Sequence, residues 1–170
     1  MQTQILFPKI ISKQEAKIKP HTEYSLYFDG CSKGNPGPAG IGAVIYKNSE
    51  EYWVSCIYLG ENKTNNEAEY SALILGLNQA LKYNIDSLSV YGDSLLVINQ
   101  LNNVYKVRNE RLFELYGMVI KLAKKFKYID FTHVYREKNK RADELSNLAL
   151  MSIDRSLSWD ELKLDIINLK

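Results

Sequence analysis

Four acidic residues, Asp29, Glu69, Asp93 and Asp143, occupy positions from which they could form a single site. Asp29 ends a run, 24–29, in which apolar and polar side chains alternate. This alternation is typical of a strand with a carboxylate at its carboxyl end. Converging carboxylates are the hard oxygen ligands that divalent cations take in proteins. The four acids therefore predict a metal site, provided that the surrounding elements bring them together.

Asp93 follows a second predicted strand, 86–92, and Gly92 and Ser94 mark a sharp exit into the next helix. Functional groups gather at the carboxyl ends of parallel strands, so Asp29 and Asp93 are expected at the same edge of a sheet. The position also suits a helix N-cap, and the local pattern leaves both roles open for Asp93.

Glu69 lies in a predicted helix, 65–83, that opens with a capping box formed by Thr64 and Glu67. Glu67 and Glu69 are two positions apart and so point ~200° away from one another. The apolar stripe through Ala72 and Leu73 continues back to Glu69. A carboxylate on the buried side is costly unless it is paired or bound to a metal. We therefore expect Glu69 to be functional and Glu67 to lie on the outer surface.

Asp143 lies at the start of the predicted helix 140–152, and its neighbour Glu144 is a competing candidate for the fourth acid of the site. An acid in a first turn is ordinarily a partner of the helix dipole. The local pattern alone therefore leaves the role of Asp143 open.

The elements that must position these acids alternate in a recognisable order. The predicted strands are 24–29, 41–46, 52–59, 86–92 and 127–134, and the predicted helices are 65–83, 94–102, 109–126 and 140–152. The order βββαβααβα predicts an α/β fold: a mixed sheet of three antiparallel strands followed by parallel crossovers, flanked by helices. We expect residues 1–22 to form an N-terminal extension, 23–153 the domain, and 154–170 a C-terminal helical extension.

The composition is that of an ordinary globular protein, with 170 residues, 45% hydrophobic and 25% charged residues and a net charge of +2. Cys31 and Cys56 lack the spacing of a zinc site or a disulfide framework. The chain shows neither a signal peptide nor a membrane-spanning apolar run, so we expect a cytoplasmic protein.

The chain resembles the type 1 ribonuclease H family and, more widely, the ribonuclease H domains of reverse transcriptases. The matching segments are 28–30 with 34–42, 64–69, 92–94 and 136–145, in the family's order and within residues 24–151. The resemblance implies a five-stranded mixed sheet and endonucleolytic cleavage of the RNA strand of RNA/DNA hybrids with two Mg²⁺ ions, or Mn²⁺ as a substitute. It places the family's metal-binding acids on Asp29, Glu69, Asp93 and Asp143.

The same resemblance implies contacts with the hybrid substrate. Asn35, Asn65 and Asn66 match positions that touch the RNA strand, and Thr64 and Asn139 match positions that hold a DNA-strand phosphate. The glycine-rich segment 34–42 is interpreted as a hairpin that lets Asn35 approach RNA beside Asp29.

Two features depart from the family pattern. The flexible-loop histidine of many members is matched by either His133 or Arg136, and we favour Arg136 as a phosphate-binding or product-side residue of the catalytic centre. The basic protrusion that grips the hybrid in some members is replaced by the short segment 102–109. This segment predicts weaker binding of the hybrid, or binding through Lys106, Arg108 or a tail.

Three functions fit these features. A hybrid-specific ribonuclease acting as a monomer is favoured, because all four acids are present. The alternatives are a nuclease of the same superfold that acts on DNA or double-stranded RNA, and an inactive nucleic-acid-binding module.

Overall fold

Five strands form one mixed sheet in the order β3-β2-β1-β4-β5 in this computed structural model, which describes residues 21–151. The elements are β1 (Tyr24–Ser32), β2 (Gly37–Lys47), β3 (Glu50–Lys63), α1 (Asn65–Lys82), β4 (Ser87–Gly92), α2 (Leu95–Leu101), α3 (Glu110–Ala123), β5 (Tyr128–His133) and α4 (Lys140–Met151), with a 3₁₀ turn at Arg136–Lys138. The predicted fold class and element order are confirmed. Apart from residues 21 and 22, the two predicted extensions lie outside the described residues, and the domain boundaries stay predictions.

The pairing of the strands explains how acids from distant parts of the chain meet. β1 pairs antiparallel with β2, which pairs antiparallel with β3 across a short turn. β1 also pairs with β4, and β4 with β5, in parallel, because helices separate these strands along the chain. The carboxyl ends of β1 and β4 therefore lie side by side, where Phe28 is opposite Gly92.

One face of the sheet carries the main core. Leu26 and Phe28 of β1 and Leu88 and Val90 of β4 are all fully buried and belong to one hydrophobic cluster with α1. The opposite face is covered by α4, which packs on β1, β2 and β3.

α1 is buried on nearly all sides because the sheet covers one of its faces and α3 packs against another. Glu67 is only 7% exposed, and the residues that follow it on the same side, Tyr70, Ser71, Ile74 and Asn78, are buried as well. The expectation that Glu67 lies on the outer surface is therefore wrong.

Two glycines of segment 34–42, Gly40 and Gly42, have a packing role that the sequence did not indicate. β2 begins at Gly37, so Gly40 lies in a strand rather than in the predicted turn, together with Gly42, which the predicted strand 41–46 already includes. A Cβ on Gly42 would lie 2.6 Å from the backbone nitrogen of Ser146, and one on Gly40 would lie 2.3 Å from its backbone oxygen. These two glycines let α4 approach the sheet closely, whereas Gly34, with φ of +86°, belongs to the turn.

None of the helices within residues 21–151 combines the length and the apolar character needed to span a lipid bilayer.

Candidate active site

Three of the predicted acids meet at the carboxyl edge of the sheet. Asp29 is in β1, Glu69 is in the second turn of α1, and Asp93 directly follows β4. One carboxylate oxygen from each lies within 4.8 Å of the others. Asp29 and Glu69 are each 5% exposed, and Asp93 is half-buried. The structure thus holds three like charges together in a largely buried cluster, named here the three-acid site.

Glu69 reaches this site because β1 and α1 approach each other closely at Gly30. A Cβ on Gly30 would lie 2.1 Å from the carbonyl carbon of Ala68, so a larger residue would push the helix away. The backbone amide of Gly30 donates a hydrogen bond to the Glu69 carboxylate. The other oxygen of Glu69, Oε2, is buried without a hydrogen-bond partner among the described residues.

Asp29 is held from the opposite face by Ser146 of α4. The Ser146 hydroxyl donates to Asp29 Oδ2, and it also lies 2.9 Å from the backbone oxygen of Asp143. Burial raises the pKa of Asp29 from 3.8 to about 6; the Ser146 bond opposes this rise, and the charges of Asp93 and Asp143 add to it. Without a cation, the folded protein therefore binds the Asp29 proton more tightly than the unfolded chain does.

The pKa of Glu69 is also raised well above its ordinary value. Burial is the largest cause, followed by repulsion from Asp29 and from Asp93, and the Gly30 hydrogen bond opposes both. An ionised carboxylate in such a place requires a compensating positive charge.

Asp93 is fixed by Asn139, which connects it to β1. Asn139 Nδ2 donates to Asp93 Oδ1 at 2.8 Å and to the backbone oxygen of Phe28 at 2.9 Å. The alternative role of Asp93 as a helix N-cap does not apply, because the side chain of Ser94 caps α2 by accepting from the amide of Val97.

The position of Asn139 corrects the sequence prediction for this residue. Its side chain is 1% exposed, and both hydrogens of its amide group point at protein oxygens. A phosphate of a DNA strand has no access to this side chain, so Asn139 positions Asp93 instead.

Asp143 stands beside the three-acid site rather than within it. Among residues 21–151, the group that could hold a metal contains only the other three acids. Asp143 Oδ1 is 2.6 Å from Nη2 of Arg136, whose side chain is 74% exposed. The neighbouring Glu144 pairs with Arg141 at 3.4 Å. His133, the other candidate for the loop position, ends β5 with Nε2 3.2 Å from the backbone oxygen of Asp93.

The predicted RNA contacts lie together where the β1–β2 hairpin meets the start of α1. The amide of Asn65 donates to Asn35 Oδ1 at 3.1 Å, and the amide of Ser32 donates to Asn65 Oδ1 at 3.2 Å. Asn66 is half-exposed beside them. Thr64 forms the predicted capping box with Glu67, at 3.2 Å and 2.8 Å. Whether these four residues touch substrate stays a prediction.

Sequence reasoning missed Gly30 and Ser146 as parts of the site. Ser146 lies three positions after Asp143, so the periodicity of the predicted helix already placed the two on one side of it. Gly30 is adjacent to Asp29, but only the packing of α1 shows why a side chain is excluded there.

Comparison with known proteins identifies the family. A family model described as reverse transcriptase-like matches residues 27–149. Ribonuclease HI of Halobacterium salinarum is 38% identical over 124 residues, which are 73% of this chain and 62% of that protein. The chain belongs to the type 1 ribonuclease H family.

Other relatives of this ribonuclease H domain agree in fold. A protein of Mycobacterium tuberculosis named bifunctional protein Rv2228c is 38% identical over 138 residues, 78% of this chain, and the chain spans 36% of its length. The solved ribonuclease H domain of that protein superimposes with a TM-score of 0.74 over 80% of this chain and 99% of the domain, at 38% identity. LC11-RNase H1, solved in complex with an RNA/DNA hybrid, gives a TM-score of 0.71 at 39% identity, over 75% of this chain and 96% of that one.

The ribonuclease H site has the chemistry of a divalent metal centre. Its donors are carboxylate oxygens, the ligands that Mg²⁺ and Mn²⁺ prefer. Glu69 Oε2 lacks a partner, and burial raises the pKa of both Glu69 and Asp29. A bound cation would give Glu69 Oε2 a partner and would favour the ionised forms of Glu69 and Asp29. The residues present therefore fit such an ion.

Proposed function

We propose that this ribonuclease H domain is an endonuclease that hydrolyses the RNA strand of RNA/DNA hybrids and leaves 5′-phosphate ends. The observation that carries the proposal is the approach of three carboxylates to within 4.8 Å at the end of the sheet. The complex of the relative LC11-RNase H1 with an RNA/DNA hybrid supports the choice of substrate.

The proposed ions are Mg²⁺, with Mn²⁺ as a substitute, two per site when substrate is bound. Asp29, Glu69, Asp93 and Asp143 would hold them, since all four offer carboxylate oxygens at or beside one site. Such ions supply Lewis-acid stabilisation of the charge that develops on the attacking and leaving oxygens.

In this proposal, the protein holds each of the three carboxylates by a hydrogen bond and thereby orients it towards the ions. Ser146 occupies Oδ2 of Asp29, and Asn139 occupies Oδ1 of Asp93. The Gly30 amide binds Glu69 while Oε2 of that residue is left without a partner. These bonds hold the acids in place before an ion arrives, which lowers the cost of ordering the site.

Recognition of the hybrid is assigned to the hairpin and the start of α1. Asn35, Asn65 and Asn66 present amide groups of the kind that read 2′-hydroxyls, the groups that distinguish RNA from DNA. Thr64 lies next to them and would hold a phosphate of the DNA strand. Arg136 lies on the exposed side of Asp143 and would bind phosphate on the product side, since arginine stays charged.

A monomeric state and a cytoplasmic location complete the proposal. Cys31 and Cys56 are free in the structure, as is usual in a reducing compartment.

The test compares the wild type with Asp93→Asn on labelled RNA/DNA, RNA/RNA and single-stranded RNA in Mg²⁺. The substitution keeps an oxygen that can accept from Asn139 and removes the charge, so the fold should persist while hybrid cleavage falls below detection. Asp86→Asn, at an exposed acid just before β4, whose other end carries Asp93, is the matched control and should cleave normally. Full activity of Asp93→Asn would refute the assignment. Cleavage confined to RNA/RNA would favour a ribonuclease that acts on double-stranded RNA. The absence of any cleavage by the wild type would favour an inactive binding module.

A further inference from the structure

One buried hydrogen bond joins the two helices that lead away from the three-acid site. The hydroxyl of Tyr70, in α1, donates to Oε1 of Gln100, in α2, at 2.8 Å. Both side chains are buried. Burial, with a smaller contribution from the charge of Tyr116, raises the pKa of the Tyr70 hydroxyl, which therefore remains a donor. Because water has little access to either group, the bond is stronger than the same bond on the surface would be.

The two partners of this bond lie close in the chain to two of the acids. Tyr70 directly follows Glu69 in the second turn of α1. α2 begins at Leu95, two residues after Asp93, and Gln100 lies in its last turn. With seven residues, α2 is shorter than helices that are stable by themselves, so its orientation depends on the elements around it. Those elements are α1 and β5, on which it packs.

The other hydrogen bonds of the two acids do not connect these helices. Glu69 is bound to the backbone amide of Gly30 in β1. Asp93 is bound through its side chain to Asn139 and through its backbone oxygen to His133 of β5. None of these bonds joins α1 to the segment that follows β4. The bond between the two helices does so, and it completes a ring of contacts around Glu69 and Asp93.

We propose that Tyr70 and Gln100 are positioning residues of the three-acid site. Their bond holds α2 against α1 and thereby sets the distance between the carboxylates of Glu69 and Asp93. These two acids repel one another, so a looser site would let them move apart. At a fixed distance one cation can contact both carboxylates at once, whereas separated acids would first have to be drawn together. The inference rests on the proposed function, because it concerns the affinity of the acids for the divalent ions of that function.

Loss of the bond should weaken the binding of divalent ions. Residues that hold metal ligands in place typically contribute about 10- to 100-fold to metal affinity. Tyr70 acts on Asp93 through a whole helix, so we expect the lower end of this range. Tyr70→Phe should therefore weaken the binding of Mn²⁺ about tenfold. At saturating metal the same variant should cleave the hybrid with a kcat near that of the wild type, because the acids themselves are unchanged.

The experiment titrates the full chain with Mn²⁺ in a calorimeter, in the absence of nucleic acid. A parallel titration of Asp93→Asn gives the binding that does not involve the three-acid site. Urea unfolding without metal gives the free energy of unfolding of each variant. Tyr116→Phe is the matched control, because it removes a hydroxyl from a tyrosine of α3 that interacts with Tyr70. It should bind Mn²⁺ as tightly as the wild type does.

A double variant separates positioning from stability. Tyr70→Phe alone leaves the buried oxygen of Gln100 without its donor, which also destabilises the fold. Tyr70→Phe combined with Gln100→Met replaces both partners by apolar groups of similar shape, so most of the lost stability should return. The bond that orients α2 is still missing in the double variant. Its Mn²⁺ binding should therefore stay about tenfold weaker than that of the wild type.

Three results would overturn the proposal: equal Mn²⁺ affinity of the wild type and Tyr70→Phe, recovery of that affinity in the double variant together with its stability, or an equal loss in Tyr116→Phe. The proposed function is tested separately by the cleavage of the hybrid. If the wild type cleaves the hybrid while Tyr70→Phe binds Mn²⁺ as tightly as the wild type, only the positioning role is refuted.

Discussion

Removing the charge of Asp29 should stabilise the metal-free protein. The difference between its ordinary pKa of 3.8 and its folded value of about 6 corresponds to about 3 kcal/mol at 1.36 kcal/mol per pKa unit. Because the folded state favours the protonated acid, stability falls as the pH rises from about 4 to about 6 and is constant above. Asp29→Asn can still accept from Ser146 and escapes this cost. We therefore expect the variant to be about 3 kcal/mol more stable at pH 8, and equal to the wild type below about pH 3.8.

The measurement is the free energy of unfolding in urea, with EDTA, at several pH values between 3.5 and 8. A gain of this size raises Tm on the order of 10 °C in a domain of this length. Asp86→Asn, at an exposed acid paired with Lys127 at 2.6 Å, is the control and should show no gain at pH 8. Adding Mg²⁺ should stabilise the wild type more than Asp29→Asn. Equal stability of the two proteins at pH 8, or the same gain at pH 3.5, would refute the assignment of the cost to burial of a charge.

The remaining predictions concern the elements around the acids. Gly42→Ala should lower the free energy of unfolding by about 3 kcal/mol, because its Cβ would collide with the backbone of α4; Gly117→Ala, where a Cβ meets nothing, should raise it by about 0.5–1 kcal/mol. Ser146→Ala removes the donor to Asp29 and should reduce hybrid cleavage about 10- to 100-fold, with Ser146→Thr partly active; equal rates would contradict a positioning role. Arg136→Gln should lower the Mg²⁺ concentration for half-maximal cleavage about 1.4- to fivefold, since an exposed ion pair is worth ~0.2–1 kcal/mol. An unchanged metal requirement would refute competition by Arg136.

Local patterns were sufficient for the elements and for part of the site. Alternation in β1, the capping box at Thr64 and the apolar stripe leading to Glu69 all depend on neighbours in sequence, and the structure has each of them. The order of strands and helices then restricts the sheet to few topologies, which is why the meeting of Asp29 with Asp93 was predictable.

Features that depend on a second layer of packing were not predictable in this way. The side of α1 that carries Glu67 and Tyr70 has the mixed composition of a surface, yet α3 buries it. The glycine-rich composition indicates a turn at Gly40, yet it lies in a strand with Gly42, and both lack a side chain where α4 packs closely on the sheet. Composition does not report which helix will cover a given residue.

The side chains of the three buried acids are held more firmly than the side chain of Asp143, and the difference has a physical reason. Asp29, Glu69 and Asp93 already repel one another within 4.8 Å, and packing prevents them from separating. A fourth charge placed among them without a cation would add to that cost. Asp143 is instead 27% exposed and bound to Arg136, which comes from a short exposed turn. A guanidinium on the surface is easily displaced because the pair is worth little in water. We therefore expect a divalent ion to replace Arg136 as the partner of Asp143. The fourth acid would then join the site only when the positive charge of the ion offsets the repulsion among the carboxylates.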